Sequence, residues 1–376
     1  MKKKLLIATD SFLPRWDGIA RFLHEILPPL SQDYSITVIA PAYKGNFTEY
    51  PNVKVIRFTV SKIWLGDYKP SWPKYGMIKN EIKNADIVWT QTIGPIGGAT
   101  IIEAKRQKKP LLAFIHSIEW ELFAKSMNMK EPLNTVIYSF TKFVARFLYN
   151  KCTFLLVPSK EVGELFRLEK IKTQKKVIPL GVNLDFFRPP ESKEKAKQAI
   201  GLSPSQFVIG FSGRIGREKD LMTLYRAFLR VRMKHHNAAL LLVGTGVEDI
   251  EKRLDRKKGV VLIGSTDNVL SYLQAMDVYV LPSLTETSSL STMEAMACGV
   301  PVICTPVGSI KDYVKPNVNG YLFPKRHTYA LTKLLESMIT DEKKLEEMGR
   351  RARKTAIANF SWDRTVKELK EVFDLF

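Results

Sequence analysis

Two carboxylates, Glu286 and Glu294, stand eight residues apart in the segment 282–301, separated by Thr287, Ser288, Ser289, Leu290, Ser291, Thr292 and Met293. A glutamate in a loop can accept hydrogen bonds from sugar hydroxyls, and one about two turns further along can accept from a ribose diol. The hydroxyls between them offer donors at a helix N-terminus, which suits a diphosphate or a developing anion. A capping box would account for one glutamate and some of the serines, but not for the whole string.

A second group of chemically useful residues lies earlier. Gly213, Arg214, Gly216 and Lys219 follow the apolar run 208–212. A guanidinium fork and an ammonium point charge can converge on a diphosphate, whereas singly such residues are usually just solvated. Gly244, between Val243 and Thr245, follows another apolar run and would let a nucleotide lie close to the backbone. Gly18 falls where a helix should start after the first strand and its loop; a phosphate could approach backbone N–H groups there, although a plain turn uses one glycine equally.

These residues all sit where short apolar runs give way to helical stretches. Runs at 5–9, 36–40, 53–58, 87–90, 111–115, 154–158 and 177–179 form one series, and runs at 208–212, 239–243, 260–263, 278–282, 300–305 and 320–323 form another. Such alternation predicts two doubly wound parallel sheets, whose ligands bind at the carboxyl ends of the strands. At 376 residues the chain is long enough for two cores. The stretch 187–192, Phe-Arg-Pro-Pro-Glu-Ser, reads as a linker, and the tail from Phe360 as an amphipathic helix capped by Ser361.

Composition narrows the function classes. Hydrophobic residues make up 45% and charged residues 26%, which is ordinary globular usage. Three cysteines with no paired spacing indicate neither a disulfide framework nor a zinc cluster, and a reducing cytosol fits. The basic start at Lys2-Lys3-Lys4 imitates a signal peptide, but Thr9-Asp10 cuts its apolar run short, and no run reaches transmembrane length. The net charge is +20, and residues 1–180 carry +13 of it. Such a surface attracts polyanions, whether nucleic acid or an anionic membrane face; scattered solubilising lysines would give the same total.

Taken in order, these motifs resemble the retaining glycosyltransferase family 4. The resemblance is carried by Phe12-Leu13-Pro14 leading to Gly18, Val177-Ile178-Pro179-Leu180-Gly181, Gly213-Arg214 with Lys219, the two-glutamate segment through Cys298-Gly299-Val300-Pro301, and Val307-Gly308-Ser309 with Asn319-Gly320. It spans nearly the whole chain, and the ordered set is far more specific than any one piece. It implies a GT-B fold of two Rossmann-like domains facing a deep cleft. Residues 1–185 would bind the acceptor and 186–358 the nucleotide sugar, while 359–376 would pack back on the first domain.

Carried over by position, the resemblance implies that Arg214 and Lys219 bind the donor diphosphate and neutralise the leaving group. Glu294 would hold the ribose and Glu286 the transferred sugar. Gly18, Gly213, Gly244, Thr287, Ser288, Ser289 and Leu290 would line the donor site. His116, after the strand at 111–115, matches the family's histidine near the sugar, although a histidine at a core edge would look the same. Two departures leave the sugar open: Ser288-Ser289 where the family often has an aromatic-glycine pair, and Asp17-Gly18 where it has two glycines.

The activity expected is retaining transfer of a hexose from a UDP- or GDP-linked donor to an acceptor hydroxyl, on a lipid, lipid-linked or other glycan. No Asp-x-Asp motif or ligand-spaced His/Cys cluster occurs, so transfer without metal is expected, and no cofactor besides the substrate. The protein is expected in the cytoplasm, peripheral on the membrane's cytoplasmic face. Aromatics and cations mix at 62–72 and 138–151, which suits an anionic lipid interface, although the second segment could equally be a helix packing its Phe residues on the sheet. A nucleotide-sugar epimerase would share the diphosphate site; a non-enzymatic polyanion binder is the other rival, but no nucleic-acid module or basic stripe is visible.

Overall fold

The computed structural model describes residues 2–46, 50–63, 69–127 and 129–376. Contacts divide the chain into two compact units, one of residues 1–180 with 362–376 and one of residues 181–361.

Unit 1 holds seven strands: β1 (Lys4–Ala8), β2 (Ser35–Pro41), β3 (Val53–Phe58), β4 (Ile87–Thr90), β5 (Leu111–Phe114), β6 (Phe154–Val157) and β7 (Gln174–Val177). They pair in parallel in the order β3-β2-β1-β4-β5-β6-β7. Every residue of β4 and β5 is buried, as unbroken apolar runs covered on both faces require. β7 differs from the run expected at 177–179. Its Gln-Lys-Lys-Val sequence shows no apolar run because it is an edge strand, where lysines discourage further pairing. The helix Trp362–Phe373 completes this core. Phe373 lies edge-on to Trp89 at 5.2 Å and to Tyr34 at 5.5 Å, and Thr365 Oγ1 donates to the Pro179 carbonyl at 2.7 Å.

Unit 2 holds six strands: β8 (Phe207–Ser212), β9 (Ala238–Val243), β10 (Val260–Ile263), β11 (Val278–Leu281), β12 (Val302–Cys304) and β13 (Gly320–Leu322), in the order β10-β9-β8-β11-β12-β13 and again parallel. The stretch 187–192, expected as a linker, belongs to this unit and runs along its surface, with Arg188, Pro189 and Glu191 exposed. Phe187 is buried, and Pro189 lies against Gly299. Arg353 ties this stretch to the core: Nη1 donates to the carbonyls of Phe187 at 2.7 Å and Ala297 at 2.8 Å, and Nη2 to Leu184 at 3.2 Å.

Cys152, Cys298 and Cys304 are buried free thiols, and desolvation pushes each up to about 12, which keeps them unreactive. Among the described residues no helix is long and apolar enough to cross a membrane.

Candidate functional site

Each sheet reverses its strand order once, between β1 and β4 in unit 1 and between β8 and β11 in unit 2. Loops leaving such neighbours diverge to opposite faces and open a crevice at the strands' carboxyl ends. The residues singled out by sequence fall at or beyond the carboxyl ends of strands in these sheets: Gly18 and His116 in unit 1, and all the others in unit 2.

In unit 2, β8 runs into Gly213 and Arg214, then into a single 3-10 turn, Arg217–Lys219. The loop after β11 reaches Glu286, and Lys219 Nζ donates to Glu286 Oε1, which also accepts from Ser283 Oγ at 2.8 Å. Arg214 Nη2 donates to Glu218 Oε1, and Glu218 is buried with its backbone carbonyl accepting from Leu284 N at 2.7 Å. Arg214 and Lys219 thus each face a carboxylate, and the two loops are laced to one another. A diphosphate would compete with acids already in place, and the turn backbone is held fixed while it does so.

Two glycines let neighbouring loops approach closely. Gly244 has φ +131°, and a Cβ there would lie 2.1 Å from the Gly213 carbonyl oxygen. Gly308 has φ +54°, and a Cβ there would lie 2.4 Å from the carbonyl oxygen of Glu286 and 2.5 Å from that of Thr287. No side chain fits either place, so the loops after β8, β9, β11 and β12 form one close-knit rim. Ser309 N donates to the Thr287 carbonyl at 2.9 Å across the same rim.

The helix Leu290–Ala297 starts at this rim. Ser289 caps it, its Oγ accepting from Thr292 N at 3.3 Å and bonding Thr292 Oγ1 at 2.9 Å. Because the cap falls at Ser289, Glu294 sits just over one turn into the helix, not the two turns that counting from Glu286 suggests. Glu294 is buried. The phenol of Tyr279 lies between these parts, bonding Ser291 Oγ at 2.8 Å and donating to the Ser212 carbonyl at 3.2 Å. Burial above all pushes that phenol well beyond its usual range, and the charges of both Glu286 and Glu294 add to the effect. The structure therefore gathers Gly213, Arg214, Lys219, Gly244, Glu286, Thr287, Ser288, Ser289, Leu290 and Glu294 along the strand ends of one unit.

In unit 1, Gly18 opens the helix Gly18–Ser31, whose cap is Asp17: its Oδ1 accepts from Ile19 N and Ala20 N, each at 3.0 Å. Gly18 is exposed and a Cβ there would meet nothing, so the spot is open to a ligand. His116, beyond the end of β5, shares a hydrogen bond of 2.9 Å between Nε2 and Gln91 Oε1. Its ring stacks on Phe114 at 4.5 Å and meets Phe22 edge-on at 5.0 Å. Desolvation in this aromatic nest lowers the imidazole to about 3, so it is neutral at physiological pH. Three residues on, Glu119 accepts from Tyr149 Oη at 2.5 Å; desolvation raises its carboxyl to about 7, although hydrogen bonds oppose the shift.

Residues 192–355 match the family model for glycosyl transferases group 1, and residues 16–186 match that for glycosyltransferase family 4. The chain belongs to the group 1, family 4 glycosyltransferases. Its two parallel-sheet units have the GT-B fold, which the Anabaena protein HepE in complex with UDP-glucose shares with a TM-score of 0.78 at 19% identity, over 99% of this chain and 100% of that one. Two relatives are similar along most of their length. An alpha-monoglucosyldiacylglycerol synthase of Streptococcus pneumoniae is 24% identical over 349 residues, 88% of this chain and 77% of its own. A UDP-Gal:alpha-D-GlcNAc-diphosphoundecaprenol alpha-1,3-galactosyltransferase of Escherichia coli is 26% identical over 395 residues, 98% and 97% of the two chains.

Some positioning residues of this glycosyltransferase escaped the sequence reading. Asp10 spans the β1/β4 switch: its N donates to Thr92 Oγ1 at 3.0 Å, and its carboxylate accepts from Ile96 N at 2.8 Å and Gly97 N at 3.1 Å. Glu218, wedged between Arg217 and Lys219 in sequence, reads there as one more solvated charge. The signal for Asp10 was its position two residues past a central strand, where an acid can accept from a helix's free N–H groups; Glu218, inside the 3-10 turn, carried no such signal.

Proposed function

We propose that this glycosyltransferase is a retaining, metal-independent hexosyltransferase that takes a UDP- or GDP-linked sugar and passes the hexose to a hydroxyl on a lipid or lipid-linked glycan. The observation that carries this reading is the Lys219–Glu286 pair beside the capped start of Leu290–Ala297. On donor binding, Lys219 turns from Glu286 to the diphosphate, and Glu286 is released to accept from the sugar's hydroxyls. Arg214, held by Glu218, supplies a second positive charge, and the helix's free N–H groups a third donor set. These charges meet the negative charge that grows on the leaving nucleoside diphosphate, the work a metal ion would otherwise do.

Glu294 takes the ribose, and Gly213, Gly244 and residues 287–290 line the donor's path. Gly18 and His116, in unit 1, keep the donor roles that the resemblance implies, with the diphosphate and with the sugar. As a neutral imidazole His116 can share a hydrogen bond with a sugar hydroxyl without adding charge. In this reading residues 1–185 take the acceptor, 186–358 hold the donor, and 359–376 belong with the first domain. The acceptor hydroxyl attacks on the face the diphosphate leaves. The lipid acceptor is supported by the names of the pneumococcal and E. coli relatives and the UDP donor by the UDP-glucose bound to the Anabaena protein; with a lipid acceptor, the work in this reading is done at the cytoplasmic face of a membrane.

A thermal-shift panel of UDP, GDP, UDP-glucose and GDP-mannose tests the donor site. Ligand at about 100 times its Kd stabilises the native state by about 2.7 kcal/mol, which for a domain of this size is a rise of roughly 5–10 °C. One base should shift the melting point and the other should not, and Lys219→Ala should abolish the shift. A melting point unmoved by all four ligands would overturn the proposal.

A further inference from the structure

The helix Leu133–Tyr149 is fastened to unit 1 by one side only. Ala145, Leu148 and Tyr149 are buried, and Tyr138 and Val144 pack against the same core. Opposite, by the 3.6-residue period, runs a stripe left largely in water: Leu133 is 50% exposed, Val136 58%, Phe140 66%, Phe143 63% and Phe147 51%. The Phe residues do not pack on the sheet. An apolar stripe of this length left in water marks a docking surface.

The charges around the stripe say what covers it. Lys142 and Arg146 flank it, both anchored at Glu169: Lys142 pairs with its carboxylate, and Arg146 Nε donates to its carbonyl at 3.0 Å. Lys151 lies at its end, its ammonium 4.0 Å from the centroid of the Phe147 ring. Phe143, Arg146, Phe147, Asn150 and Lys151 line a shallow depression between stripe and cations. Exposed Lys170 and Lys172 stand next to Asn150, which bonds the carbonyl of Lys170 and the N–H of Lys172. A second copy of this chain would bring two such cationic borders together, in a protein of net charge +20. An anionic bilayer offers acyl chains to the phenyl rings and phosphates to the cations, so it complements both parts.

We infer that the exposed face of the helix Leu133–Tyr149 is a membrane-docking surface, with Phe140, Phe143 and Phe147 entering the acyl boundary and Arg146 and Lys151 holding anionic headgroups at its edge. Its purpose rests on the proposed lipid acceptor; its chemistry does not, because it needs no donor.

Cosedimentation of the whole protein with vesicles of phosphatidylglycerol and phosphatidylcholine, without nucleotide, tests it. The wild type should sediment with these vesicles at low salt and much less with phosphatidylcholine alone. Phe140→Ser/Phe143→Ser/Phe147→Ser should weaken binding at least tenfold, with tryptophan emission and urea midpoint unchanged. Arg146→Glu/Lys151→Glu should also weaken it and flatten its salt dependence. The inference is overturned if the wild type stays in the supernatant, if the serine variant sediments as well as the wild type, or if light scattering shows a dimer that the serine variant makes monomeric. Vesicle binding without a nucleotide-dependent melting shift would uphold this surface and sink the donor site instead.

Discussion

His116 and Glu119 sit three residues apart and are displaced in opposite directions, so acid should act on unit 1 through two opposing linkages. His116 titrates near 6.5 when unfolded and about 3 when folded. Between those values the unfolded chain holds more protons, so the stability present above pH 6.5 is lost as the pH falls toward 3. At 1.36 kcal/mol for each pH unit, that window is worth up to about 5 kcal/mol. Glu119 titrates near 4.5 when unfolded and about 7 when folded. There the native state holds the extra proton, so stability is fully present below 4.5 and lost as the pH rises through 7, up to about 3 kcal/mol in all.

Between pH 6.5 and 4.5 the two slopes nearly cancel, and below 4.5 the histidine acts alone. His116→Gln should therefore gain stability on acidification from pH 7 to 4.5, and Glu119→Gln should lose it steeply, with the wild type between them. Trp16, Trp64, Trp72, Trp89, Trp120 and Trp362 are the protein's six tryptophans, and all belong to unit 1. Urea unfolding followed by tryptophan fluorescence at pH 4 to 8 therefore reports this unit. Midpoint curves that run parallel for the wild type and both variants would refute the reasoning.

Three further outcomes are expected. Lys219→Ala should lower kcat by about 10²–10³ while KM for the donor changes less, and near-normal turnover would remove Lys219 from the chemistry. Gly244→Ala forces a Cβ against the Gly213 carbonyl at positive φ; it should cost about 1–3 kcal/mol in unfolding free energy and weaken nucleotide binding, and calorimetry showing normal affinity would count against the close-knit rim. Arg353→Met leaves the carbonyls of Leu184, Phe187 and Ala297 without their donor. Since a buried unpaired polar group costs about 1–3 kcal/mol, hydrogen exchange should show unit 2 opening more readily, and unchanged protection would contradict that role.

The buried strands were legible because each is an apolar run covered on both faces: the run at 87–90 coincides with β4, and those at 208–212 and 278–282 match β8 and β11 to within a residue, while of the edge strands β3 and β10 also coincide with runs, at 53–58 and 260–263. β7 was not, since an edge strand needs no apolar run. Which residues sit at the strand ends followed from spacing alone, and so did Lys219 and Glu286 as chemically useful groups. That they would pair with each other did not, because the 3-10 turn Arg217–Lys219 and the loop 282–289 meet only through tertiary packing. Glu218 and Asp10 stayed hidden for the same reason. The Phe residues of Leu133–Tyr149 were ambiguous in sequence because an amphipathic period does not say which apolar face meets the core. Of the aromatic segment at 62–72, Trp72 is 66% exposed and residues 64–68 lie outside the described residues.

The helix Trp362–Phe373 carries Val366, Leu369, Val372 and Phe373 into the core begun by β1. On the ribosome this reverses the usual order of completion. Unit 1 begins to emerge first, yet it cannot close around Trp89 until synthesis has passed Phe373, by which time every residue of unit 2 has already been made. The nascent first sheet must wait, with an unfilled groove, for its last wall.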